Sequence, residues 1–179
     1  MREHIVMSYV GVGPLRFGMT RDDVHQLIGN PLSIDKSGGS EELTEYWSNN
    51  GLQLTYSEMD ETLLEISLYP NLQNVQLNGL NLFEVPGTQA FKLLHDWDNA
   101  PLTIVGVSIF LKLGLAVNGF LHDDDGAKSV TAFAKGRWDD WPPKKMKPYP
   151  SRPLQKNWLN QAKKTMEFAN IQKYSPCWS

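Results

Sequence analysis

GPLRFGMTRDDVHQLIGNP, residues 13–31, decides how the rest of the chain is read. Thr20 is a good helix N-cap, because its hydroxyl can accept from the free amides of a first turn. Asp22 and Asp23 follow in that turn, where carboxylates meet the positive end of the helix dipole. Val24, Leu27 and Ile28 recur at helical spacing and predict an apolar stripe; Gly29 and Pro31 then stop the helix. Upstream, HIVMSYV (4–10) predicts a first strand broken by Gly11 and Gly13-Pro14, with Leu15-Arg16-Phe17 resuming it.

Downstream, residues 35–45 contain SGGSEE and read as a loop. A strand opens at Glu45–Trp47, and GLQLTY (51–56) and LLEISLY (63–69) both alternate with period two. Their linkers have turn composition, which predicts antiparallel hairpins. A similar order returns from residue 75. GLNLF (79–83) loosely parallels PLRFG, and Pro86-Gly87-Thr88 precedes Ala90, Phe91, Leu93, Leu94 and Trp97, a second amphipathic helix. Residues 112–117 match 49–54 at an offset of 63, an acidic turn follows in each copy, and the run 129–134 closes the second. The order predicts an α+β fold of two similar helix-then-antiparallel-sheet units, residues 1–74 and 75–141. Residues 142–153, with five prolines, read as an extended basic linker without regular hydrogen bonding, and 154–179 as a C-terminal amphipathic helix and tail.

Charge divides along the same line. Residues 1–141 carry 19 acids against 9 Lys+Arg, whereas 142–179 carry 8 Lys+Arg and only Glu167. An acidic body argues against direct nucleic-acid binding and suits a basic protein partner. No run approaches the ~20 apolar residues of a membrane helix. The first residues lack a signal-peptide pattern, and the single Cys177 excludes an internal disulfide framework, so the expected compartment is the cytoplasm.

The chain lacks recognisable catalytic motifs. His4, His25, His95 and His122 stand at no zinc spacing, and His25, beside the apolar stripe, is expected to be solvated. His122-Asp123-Asp124-Asp125-Gly126 lacks calcium-loop spacing and reads as an acidic hairpin turn. No enzyme activity, metal or cofactor is therefore expected. Trp138 and Trp141 flank Asp139 and Asp140, the residue types that an interface for a basic protein uses; they equally suit the closing of a core end.

Gly18, Met19, Thr20, Val24, Leu27, Gly29 and Pro31 give the pattern G-M-T-x-x-x-V-x-x-L-x-G-x-P. It resembles the signature of small helix-plus-antiparallel-sheet repeats of the β-lactamase inhibitory protein family and of the small outer-membrane lipoproteins of barrel assembly. The second half departs from it, with Gly87-Thr88 in place of Met-Thr and no Gly-x-Pro. The resemblance implies a protein-binding scaffold that grips its target with the concave face of a sheet; it carries over no functional residue. In type, the chain is also similar to bacterial immunity proteins, including those of contact-dependent growth inhibition. The function expected is neutralisation of a cognate protein toxin, a nuclease being one class. Expected contact residues are Asp123, Asp124, Asp125, Trp138, Asp139, Asp140 and Trp141, with Glu41, Glu42 and Glu45 next. The alternatives are an envelope assembly module of the same fold, and a small-ligand or metal-binding protein or enzyme.

Overall fold

The computed structural model describes residues 4–36, 42–47, 51–104, 106–121 and 127–139, and the backbone of 147–148. All belong to one compact unit, Met1–Tyr149. The C-terminal helix expected over 154–179 lies outside the described residues.

Two helices and two sheets of mostly antiparallel strands make a mixed α+β fold. The small sheet contains β1 (His4–Met7), β2 (Gly11–Val12), β3 (Leu15–Arg16), β8 (Val75–Leu77) and β9 (Leu80–Asn81), in the order β3-β2-β1-β8-β9. Its one parallel pair is β1 with β8. The large sheet contains β4 (Ser33–Asp35), β5 (Leu43–Trp47), β6 (Leu52–Tyr56), β7 (Leu63–Leu68), β10 (Leu102–Ile104), β11 (Val107–Phe110), β12 (Leu115–Asn118), β13 (Ser129–Phe133) and β14 (Lys147–Pro148). Their order is β14-β10-β11-β12-β13-β7-β6-β5-β4.

Strands from the two halves of the chain thus form one continuous sheet, joined where β7 pairs antiparallel with β13. Each half supplies a helix and then four antiparallel strands. That common order is a property of the topology, and a repeated unit is not shown by it.

α1 (Arg21–Ile28) forms as its local signals dictate. The Thr20 Oγ1 accepts from the Asp23 amide at 3.2 Å, and Asp23 Oδ2 accepts from the Thr20 amide at 3.1 Å, a reciprocal capping box. Gly29, at φ 96°, is the C-cap, and its amide donates to the His25 carbonyl. The residues before the cap have a tertiary job as well. Gly18 N–H donates to Leu63 O at 3.0 Å and Leu63 N–H to Met19 O at 2.8 Å, so the G-M-T segment straps the helix start to β7, the strand at the seam.

α2 (Gly87–Asp98) buries Ala90, Phe91 and Leu94. Phe91 meets Phe110 edge-on, with centroids 5.6 Å apart. Pairing registers put Phe110, Leu115, Ala132, Ile66, Leu54 and Glu45 on one face of the large sheet. Val24 of α1 joins the same core cluster, so both helices cover that face.

Several expectations are corrected. Leu27 is 43% exposed, so the apolar stripe of α1 narrows to Val24 and the half-buried Ile28. The expected loop 35–45 yields to β4 before it and to β5, which starts at Leu43. The run 102–117 folds into three strands, divided by turns at Gly106 and 111–114. Within the expected linker, the backbone of β14 pairs with β10 at Leu102 and Thr103, on the sheet edge where a proline is tolerated.

Candidate functional site

In β5 the sequence LTEYW alternates, which sends Leu43, Glu45 and Trp47 toward the helices and Thr44 and Tyr46 away from them. A carboxylate is thereby forced into the core, where it survives only if paired and hydrogen-bonded. Glu45 is fully buried. Arg21 Nε donates to its Oε1 at 2.9 Å, and the Tyr56 hydroxyl donates to Oε2 at 2.9 Å. His25 Nε2 lies 3.0 Å and 3.1 Å from the two oxygens. Arg21 also reaches Glu61 at 3.5 Å. Spaced four apart on α1, Arg21 and His25 bring one polar edge of the helix onto the carboxylate.

Burial, reinforced by the Glu45 charge, pushes the Tyr56 phenol far above its ordinary value, with Arg21 opposing; the phenol therefore remains a donor. Burial also acts to lower the Arg21 value, but the hydrogen bond and charge of Glu45 outweigh it and the value rises. A carboxylate, an imidazole and a phenol are acid–base groups, but here they face one another. None of the three cavities described on this molecule is lined by Arg21, His25, Glu45 or Tyr56. The cluster's visible work is to clamp α1 to the sheet.

The face away from the helices is different in kind. Thr44, Tyr46, Gln53, Glu65, Tyr69 and Thr131 are partly exposed on it, with Thr55 and Ser67 between them. Tyr69 OH donates to Gln53 Oε1 at 2.9 Å, and Ser67 and Thr131 hydroxyls meet at 2.8 Å across the seam. A recess of about 190 Å³ is lined by Tyr46, Leu52, Gln53 and Tyr69. Arg137, from the turn after β13, lies between two acids. It donates through Nη1 and Nη2 to the two oxygens of Glu42, both at 2.8 Å, and through Nε to Glu65 Oε1 at 2.7 Å. Farther along, Ile109, Ala116 and Phe133 form a smaller apolar cluster, against which Tyr9 and Trp138 pack.

The expected contact residues separate accordingly. Glu45 is corrected outright: enclosed and held by three side chains, it is not available to a partner. His25, expected to be solvated, is corrected too, because its ring lies on Glu45 and edge-on to Trp47, with centroids 5.7 Å apart. Glu42 lies at the edge of the open face with its charge engaged by Arg137. Trp138 packs edge-on against Phe133, with centroids 6.0 Å apart, and Asp139 is exposed in the turn 135–139. Glu41, Asp123, Asp124, Asp125, Asp140 and Trp141 lie outside the described residues, as does the cluster at His122.

Sequence reasoning passed over Tyr46, Gln53 and Tyr69. Their signal was the outward phase of the same alternation that identified the strands. It passed over the Glu45 cluster as well, although a glutamate in phase with Leu43 and Trp47 is the mark of a buried acid. Among the described residues no group of three or more His, Cys, Asp or Glu is placed to hold a metal ion. No helix among them is long and apolar enough to cross a membrane. Compared with protein-family models, with curated proteins and with solved structures, the chain matches none.

Proposed function

We propose that this chain is a non-enzymatic, protein-binding immunity protein that neutralises a cognate basic protein toxin through the open face of its large sheet. The observation that carries the reading is the one-sided sheet. Both helices cover one face, while the other presents a recess lined by Tyr46, Leu52, Gln53 and Tyr69. Tyrosines beside a recess supply rigid contact area with a polar tip, the usual anchor of a binding hot spot. The acidic balance of residues 1–141 favours fast, salt-sensitive association with a basic surface, such as the substrate-binding surface of a nuclease. The resemblance of residues 18–31 to an inhibitor repeat points the same way. This reading puts the protein in the cytoplasm, where a toxin of that class acts.

The test is coexpression with the product of each gene adjacent to this one, scored for toxicity with and without this chain. The expected outcome is rescue of growth and copurification that weakens as salt is raised. Tyr46→Ala/Tyr69→Ala should abolish both while leaving the circular dichroism spectrum unchanged. Absence of rescue and of binding, or full rescue by the double variant, would overturn the proposal.

A further inference from the structure

Pairing registers set three residues in a row across β10, β11 and β12. Thr103 lies opposite Ser108, and Ser108 lies opposite Val117. Ser108 is in phase with Phe110, which meets Phe91 of α2, so the row projects to the helix side of the sheet. Over this row lies a cavity of about 360 Å³, within the range of sites that hold small molecules. Thr103, Ser108 and Val117 are its floor; Phe91, with Phe120 and Leu121 from the chain after β12, supplies apolar wall. It shares no lining residue with the recess of the proposed partner face.

The floor carries two hydroxyls in different states. Thr103 Oγ1 donates to the Val107 carbonyl at 3.1 Å, so its proton is committed and its oxygen is left to accept. The Ser108 hydroxyl makes no hydrogen bond among the described residues, although Ser108 is only 2% exposed. Its oxygen is not one of the polar atoms sealed off without a partner there, so the space it meets is that of the cavity it lines. Ser108 therefore holds a proton with nothing to receive it, beside an acceptor with nothing to receive from. Residues directly opposite on paired strands hold their Cβ atoms about 5 Å apart, close enough for one ligand oxygen to reach both hydroxyls. Among the described residues no Lys, Arg, His, Asp or Glu lines the cavity. A charged ligand would lose its hydration there without gaining a counter-charge.

We propose that this cavity binds a small, neutral alcohol or phenol, whose apolar body lies against Phe91, Phe120 and Val117 and whose hydroxyl accepts from Ser108 and donates to Thr103. A ketone or an ether satisfies Ser108 but not Thr103, and a hydrocarbon satisfies neither, so the two floor hydroxyls set the ligand class. The site does not rest on the toxin reading. A chain that binds no toxin can still bind the alcohol, and the reverse.

Three probes of similar shape separate the contributions: 2-phenylethanol, its methyl ether and n-propylbenzene. Binding to the full chain is followed by the methyl resonances of Val117 and Leu121. Thr103→Val keeps the shape of the floor and removes the acceptor. It should weaken 2-phenylethanol about fivefold, the factor for one net hydrogen bond near 1 kcal/mol, and leave the ether within about twofold. Ser108→Ala should weaken the alcohol and the ether alike, by about the same factor, and spare n-propylbenzene. If Ser108→Ala does not fold, Thr103→Val and the contrast between alcohol and ether decide. No saturable shift from 2-phenylethanol up to its solubility, an alcohol affinity that either folded variant leaves unchanged, or equal losses for all three probes would each overturn the proposal.

Discussion

Replacing Glu45 tests whether the clamp under α1 carries the stability that its geometry implies. Glu45→Ala leaves the Tyr56 hydroxyl, on a side chain with no solvent exposure, without its acceptor. That alone costs about 1–3 kcal/mol. Arg21 loses its closest counter-charge, but at 24% side-chain exposure and with Glu61 3.5 Å away it retains partial solvation, so its share falls at the low end for a buried pair. With the small void left by the missing carboxyl, the total is about 3–4 kcal/mol. Glu45→Gln keeps the volume and one acceptor oxygen and should cost about 2 kcal/mol, the charge-assisted part alone. The assay is urea unfolding followed by tryptophan fluorescence, which senses Trp47 beside His25. For a slope near 2 kcal/mol per molar urea, Glu45→Ala should lower the midpoint by roughly 1.5–2 M and Glu45→Gln by roughly 1 M. A shift below about 0.3 M for Glu45→Ala, with the slope unchanged, would mean that the carboxylate is solvated and the clamp does not exist.

Two further outcomes follow from local geometry. A Cβ added at Gly87 would lie 2.8 Å from both the Phe120 carbonyl oxygen and Lys128 Cε. Gly87→Ala should therefore destabilise the fold by about 1–3 kcal/mol, read as a lower urea midpoint, and a neutral result would refute the close approach of α2 to that turn. The hydroxyl and amide of Thr20 hold the Asp23 carboxyl below its ordinary value of 3.8. A depressed value means that the unfolded chain takes up the proton first. The stabilisation is thus complete above 3.8 and is lost as pH falls through the lower folded value. The midpoint difference between the parent and Asp23→Asn should be largest near neutrality and shrink as pH falls below 3.8; a constant difference would sink the assignment.

How much of this was legible depends on how local the cause is. The cap, the capping acid and the stop of α1 lie within ten residues of one another, and the helix forms where they predict it. The alternation of β6 and β7 was readable because one of their faces is buried and the other is not. β4 escaped notice for the opposite reason: its Ile34 is 51% exposed, and an edge strand with outward side chains carries no burial pattern. The width of the α1 stripe was misjudged because an eight-residue helix was assumed to dock by apolar contact alone. Its second contact is polar, made through Arg21 and His25, and depends on a strand more than fifteen residues away. Gly87, the departure from Met-Thr in the second half, has its reason in the backbone of Phe120, which no local pattern announces.

The seam between β7 and β13 also sets an order of events during synthesis. Ser67 and Thr131, which meet across it, are 64 residues apart in the chain. At the usual pace of translation, ~5–20 residues per second, β7 waits roughly 3–13 s for its neighbour to be made. In that interval the four strands β4–β7 can pair among themselves, but the outer rim of β7 offers bare amides and carbonyls beside Ile66 and Leu68. Such a rim accepts any extended chain that reaches it. The last strand to be made in the second half is therefore also the guard of the first. A ribosome stalled before residue 129 would leave a nascent chain primed to pair with its neighbours rather than merely an incomplete one.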